Sequence, residues 1–159
     1  MLNVQEKQVR LGVAEERFIE DMGSLMMTYR VPRTTGRVLG YLLLQPEPRD
    51  LDRMARELGA SKSGVSVAAR QLESWALARH RGQKGSRRVL YEAVDDLDFV
   101  YRTRQAETAT FRDMFRRGVT VAGPGPAAER LQSLTQLMEE SISIMEEVRR
   151  RLAATRRQT

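Results

Sequence analysis

Residues 51–94 read LDRMARELGASKSGVSVAARQLESWALARHRGQKGSRRVLYEAV, and their spacing decides the fold. Leu51, Met54, Ala55 and Leu58 recur at the three-and-four spacing of one helix face. Asp50, just ahead of them, suits an N-cap, and Gly59 ends the segment. Ser61 suits the cap of a second helix running to about Ala76, with Val65, Ala68, Ala69, Leu72 and Ala76 facing inward. Ala55 is small where the first helix must approach the second, and Gly59 gives the turn a flexible backbone. From Ala78 the helical period stops. Ala78 to Arg81 and Val89 to Val94 read as two short strands around the loop Gly82-Gln83-Lys84-Gly85-Ser86. Two short helices, a glycine turn and a two-stranded hairpin follow in the order of a winged helix-turn-helix. The predicted fold is mainly α: that motif, a short two-stranded β wing, and long terminal helices serving dimerisation.

Outward from this centre, residues 34–45 read as a leucine-rich helix, followed by the turn Gln45-Pro46-Glu47-Pro48. Residues 5–29 read as an amphipathic helix with Ala14, Phe18, Met22, Leu25 and Tyr29 on one face, closed by Pro32. Asp95, Asp96 and Asp98 suit the positive end of a helix that runs to about Arg117. Gly123-Pro124-Gly125-Pro126 breaks the chain. A last helix from about Ala127 carries Leu131, Leu134, Met138, Ser141, Met145, Val148 and Leu152 as a heptad-like seam. The expected organisation is therefore 1–31, an N-terminal dimerisation helix; 32–95, the winged helix-turn-helix; and 96–159, C-terminal dimerisation helices. The apolar stripes of the terminal helices exceed what a small winged helix covers, which predicts a homodimer.

The chain carries 27 Lys and Arg against 21 Asp and Glu among 159 residues, a formal charge of +6. Such a balance favours a polyanionic partner, nucleic acid or a membrane surface. Its placement narrows the choice. Between Ser61 and Tyr91 stand Lys62, Arg70, Arg79, Arg81, Lys84, Arg87 and Arg88, with Glu73 the one acid. This predicts a recognition helix in the major groove of double-stranded DNA and a wing gripping the flanking phosphates. The expected contacts on the helix are Ser61, Lys62, Ser63, Ser66 and Arg70, with Val67 placed to touch a thymine methyl. Those from the wing are Arg81, Lys84, Arg87 and Arg88. A winged helix used as a protein-interaction or RNA-binding scaffold is the alternative.

The stretch Ser61 to Asp96, SKSGVSVAARQLESWALARHRGQKGSRRVLYEAVDD, resembles the GbsR branch of the MarR-type regulators. The matching features are Ser61-Lys62, Val65-Ser66, Arg70, Leu72-Glu73, Trp75, Gly85, Arg87-Arg88 and Tyr91-Glu92-Ala93. Ala76 departs from the pattern, which often has glycine there. Ala78 to Arg81 also lack the apolar and aromatic residues of the pattern's first wing strand. The resemblance implies homodimers held by terminal helices, control of nearby genes, and in some relatives a small-molecule effector.

Other chemistries find little support. With no cysteine there is no disulfide, thiolate metal site or cysteine nucleophile, which suits a reducing, cytoplasmic setting. His80 is the one histidine and stands among arginines, more a wing residue near phosphate than a base or metal ligand. Asp95, Asp96 and Asp98 read as cap and dipole residues rather than a cation site. No cofactor and no enzymatic activity are expected. Charges interrupt the N-terminal apolar runs, and no stretch is long enough to span a membrane. Trp75 reads as a core residue closing the recognition helix onto the wing.

Overall fold

The computed structural model describes residues 11–82, 85 and 88–156. Its contacts divide the chain into two compact units, one ending at Val94 and one beginning at Asp95. The first unit contains α1 (Val13–Thr28), α2 (Arg33–Leu44), β1 (Arg49–Asp50), α3 (Leu51–Leu58), α4 (Lys62–Ser74), β2 (Ala78–Gly82) and β3 (Val89–Ala93). This is the expected helix-turn-helix and hairpin, with one addition. Two residues ahead of α3 form a third strand, and the antiparallel sheet runs β1-β3-β2. Arg49 pairs with Tyr91 and Asp50 with Leu90. So short a strand, within a turn marked by two prolines, leaves no period-two pattern to read.

α2 lies at the centre. Thr35, Gly36, Val38, Leu39, Gly40, Tyr41 and Leu42 are all buried, so most of its circumference is covered. A helix apolar nearly all round belongs inside a unit. Ile19 of α1, Met54 and Leu58 of α3, Val65, Ala68, Ala69 and Leu72 of α4, and Ala78 and Tyr91 of the sheet complete its core. The five positions expected to face inward, four on α4 and Ala76 just beyond its end, are buried.

The α1–α2 crossing depends on glycine. A Cβ on Gly36 would stand 2.7 Å from the Met22 carbonyl oxygen and 2.8 Å from the Gly23 Cα. One on Gly40 would stand 3.0 Å from the Met22 Cβ. The backbones approach so closely that the packed face of α1 is Ile19, Met22, Gly23 and Met26. This corrects the sequence reading, which grouped Met22 with Ala14, Phe18, Leu25 and Tyr29. Those four are exposed, Tyr29 at 72%. α1 also begins at Val13, later than the expected residue 5; residues 5–10 lie outside the described residues.

A cluster of ions fixes the same crossing. Glu20 of α1 accepts from Arg33 at 2.6 Å and from the Arg37 Nε at 2.7 Å. Arg37 also donates to the Leu58 carbonyl at 2.6 Å, satisfying a group at the end of α3 that the helix leaves open. Burial raises the Glu20 carboxyl, but the hydrogen bonds from Arg33 and Arg37 outweigh it and hold the group below its ordinary value. On the far side of α2, the buried Tyr41 donates its hydroxyl to Glu57 at 2.6 Å. Burial and that carboxylate push the phenol well above its ordinary value.

Three helices of this unit end alike. After α3, Gly59 is left-handed at φ 58, its N–H reaching the Arg56 carbonyl and that of Ala60 the Ala55 carbonyl. Arg30 after α1 (φ 61) and Ala76 after α4 (φ 57) make the same pair of bonds without glycine. The left-handed backbone at Ala76 is the position where the resembling pattern often has glycine.

The second unit is a hairpin of α5 (Leu97–Ala122) and α6 (Pro126–Arg156). Arg116 pairs with Glu139 and Asp98 with Arg149, so the helices run antiparallel. α5 continues a full turn past the expected end at Arg117, and Gly118 there lies against the Leu131 side chain. The seven seam residues of α6 are half-buried within the hairpin. No described helix is long and apolar enough to cross a membrane.

Two outcomes follow from the α1–α2 crossing. Gly36→Ala places a methyl against backbone and is expected to cost about 1–3 kcal/mol, read from denaturant unfolding; an unchanged midpoint would contradict the close approach. Glu20 has a depressed folded value, so its stabilisation is present above the unfolded value and is lost as pH falls through the folded one. Melting temperature is therefore expected to fall more steeply for the wild type than for Glu20→Gln as pH drops below 4.5, and parallel curves would exclude this role.

Candidate nucleic-acid interface

α4 presents two faces. Val65, Ala69 and Leu72 fix it to the core, and the half-buried Gln71 accepts from the buried Thr35 hydroxyl of α2 at 2.8 Å. The opposite face carries Lys62, Ser63, Val67 and Arg70, all exposed, and the half-buried Ser66. Val67 is 57% exposed, an apolar side chain that no core residue requires in that position. The structure thus brings the expected helix residues onto one solvent face of α4, from its N-terminus to Arg70. Ser61 is committed differently. Its hydroxyl accepts from the Gly64 N–H at 3.1 Å, so its first duty is the N-cap.

The wing begins beside this face. β2 and β3 pair from Ala78↔Ala93 to Gly82↔Val89. Gly85 turns the hairpin at φ 80, in the left-handed region that favours glycine. Arg81 on β2 and Arg88, just ahead of β3, are both exposed. Lys84 and Arg87 lie outside the described residues. His80 on β2 pairs through Nδ1 with Glu73 of α4, and its ring lies 6.2 Å from that of Tyr91. Burial, then the nearby Glu73, raise the Tyr91 phenol, and Arg70 opposes them. The Glu73–His80 contact therefore joins the helix to the wing, a role the sequence reading of His80 did not include. Trp75 packs half-buried against the core, as expected.

Carboxylates outside the Ser61–Tyr91 stretch fold back onto it. Lys62 pairs with Asp52 of α3 at 2.9 Å. Arg81 and Arg79 both reach Glu92, at 2.7 and 2.5 Å. Arg88 stands 3.9 Å from Asp50. Counting charge in a sequence window could not find these partners, because α3 and β3 bring them in from either side. The hydrogen bond from Lys62 holds the Asp52 carboxyl below its ordinary value, with Coulombic help from Lys62, Arg56 and Arg88. Arg56, exposed on α3, is a further cation near this face that the sequence reading passed over.

No protein-family model matches the chain. Among curated proteins it is 34% identical over 83 residues to the HTH-type transcriptional repressor OpcR of Bacillus subtilis, covering 52% of this chain and 45% of that one. It thus spans about half the length of that relative. It is 29% identical over 125 residues to the HTH-type transcriptional regulator MmpR5 of Mycobacterium tuberculosis, covering 76% of each. Among solved structures, a crystal structure of a transcriptional regulator superposes with a TM-score of 0.81 at 24% identity, over 89% of this chain and 99% of that one. The last likeness shows the winged helix-turn-helix fold with its helical additions. The curated relatives of this chain are HTH-type transcriptional regulators.

Proposed function

We propose that the chain is a sequence-specific double-stranded DNA-binding transcription regulator that acts as a homodimer on pseudo-palindromic sites. The observation that carries this reading is the solvent face of α4. It is polar and basic at its N-terminal half, fixed from behind by a buried face, and flanked by a basic wing. A recognition helix offers this arrangement to the major groove. The relatives OpcR and MmpR5, both HTH-type regulators, support the same reading. In it Lys62, Ser63, Ser66 and Arg70 reach base edges, Val67 meets a thymine methyl, and Ser61 orders the helix start. Arg81 and Arg88 hold phosphates, as do Lys84 and Arg87.

The dimer rests on apolar surface that each unit leaves uncovered. Phe18, Leu25 and Tyr29 are exposed on α1, and Phe111, Met114, Leu137 and Ile144 on the hairpin. Uncovered apolar side chains on these helices support contact with a second copy. The heptad-like seam is half-buried inside the hairpin, so Leu137 and Ile144 are the better interface positions on α6. A second copy covering them sets the distance between the two recognition helices.

Two measurements test these claims. Arg70→Ala and Ser66→Ala are expected to relax discrimination at one base pair in each half-site without lowering the melting temperature. The loss is about 1–3 kcal/mol where Arg70 contacts guanine in bidentate fashion, and smaller for the serine. A ratio of specific to non-specific affinity that stays constant across Lys62, Ser63, Ser66 and Arg70 variants would overturn the reading. In sedimentation, the wild type is expected at twice the mass of one chain, and Leu137→Asp with Ile144→Asp at the mass of one. A monomeric wild type that binds a selected duplex tightly would exclude the dimer.

A further inference from the structure

Four of the cations expected to meet DNA are described: Lys62, Arg70, Arg81 and Arg88. Three of them face a carboxylate of this same chain: Asp52, Glu92 and Asp50 respectively. Asp52 is the most telling. It sits in the first turn of α3, where a carboxylate is expected to serve the helix end, yet Asp50 already caps that helix through the Arg53 N–H at 2.8 Å. Its oxygen lies instead 2.9 Å from the Lys62 Nζ at the N-terminus of the recognition helix. The charges of Arg56 and Arg88 also help hold its carboxyl below the ordinary value.

We propose that Asp52 is a specificity-determining residue that occupies Lys62 until the chosen sequence offers it a base edge. The inference rests on the DNA-binding reading above. In a non-specific complex the start of α4 is out of register with the groove, and Lys62 stays on Asp52. In the specific complex a DNA group arrives at Lys62, and the exposed pair, weak in water, opens. Lys62 then contributes to the chosen sequence and little to random DNA. The carboxylate thereby lowers the background that random DNA sets against a regulator.

The test measures affinity against salt for two probes, a random-sequence duplex and a duplex recovered from a random pool by selection. Asp52→Asn frees Lys62 in every register. Its salt slope on the random duplex is expected to steepen by about 0.9, one phosphate contact, with affinity rising on the order of fivefold at low salt. Its slope on the selected duplex is expected to match the wild type, because Lys62 is already engaged there. Lys62→Ala approaches the same claim from the other side. It is expected to weaken the selected duplex and leave the random-duplex slope at the wild-type value. Adding Asp52→Asn to Lys62→Ala is expected to leave that slope unchanged as well. Two unchanged slopes in Asp52→Asn, or two slopes steepened alike, would overturn the proposal, as would a shallower random-duplex slope in Lys62→Ala. A wild type that binds neither probe would instead sink the DNA-binding reading itself. Thermal melting checks that the variants are folded; the Asp52 side chain is 62% exposed, and Asp50 retains the cap.

Discussion

α2 has to satisfy several neighbours at once. It packs on α1, α3, α4 and the sheet, and each contact restricts the residues it can use. Toward α1 it needs glycine, because the backbones come within van der Waals distance at Gly36 and Gly23. Toward α4 it offers Thr35, which ties that helix through Gln71. Toward α3 it sends Arg37 to the last carbonyl and Tyr41 to Glu57. The solvent face of α4 is held in place by these commitments on its other side. A recognition surface is only as well aimed as the helix behind it is fixed.

Much of this architecture is legible in the chain. The α3 and α4 stripes obey a helical period because one side of each meets a core and the other meets water. Asp50, Gly59 and Ser61 stand where the observed caps form. The face of α1 was misread for a physical reason. A close crossing buries glycine and the residues beside it, while a hydrophobicity pattern gives weight to large side chains. Phe18, Leu25 and Tyr29 drew the reading to a face that the first unit leaves exposed. The charge excess between Ser61 and Tyr91 was correctly located and overstated. Lys62, Arg79, Arg81 and Arg88 have partners at Asp52, Glu92 and Asp50, and only the fold brings those close. The outer residues of α4 were legible as candidates because polar groups at the start of such a helix have no structural duty. Ser61 is the exception, since capping gives it one.

The Ala76 position shows how a departure from a pattern can be read in backbone terms. α4 ends with a left-handed residue, and an L side chain there costs about a kilocalorie more than glycine. Arg30 meets the same demand after α1. Both endings keep their two hydrogen bonds, so the chain accepts local strain to complete the caps. At Ala76 the methyl is also buried, and its packing offsets part of that strain.

Asp50 performs two tasks with one residue. Its side chain caps α3, and its backbone pairs with Leu90 of the wing. A wing that tilted alone would pull on the cap of the helix preceding the recognition helix. It would also strain the Glu73–His80 link at the other end of α4. Among the described residues, α4 and the wing are in this sense tied together at both ends. On the proposed reading, a signal that alters DNA recognition by this chain moves helix and wing together, by changing where they are carried rather than how they are bent.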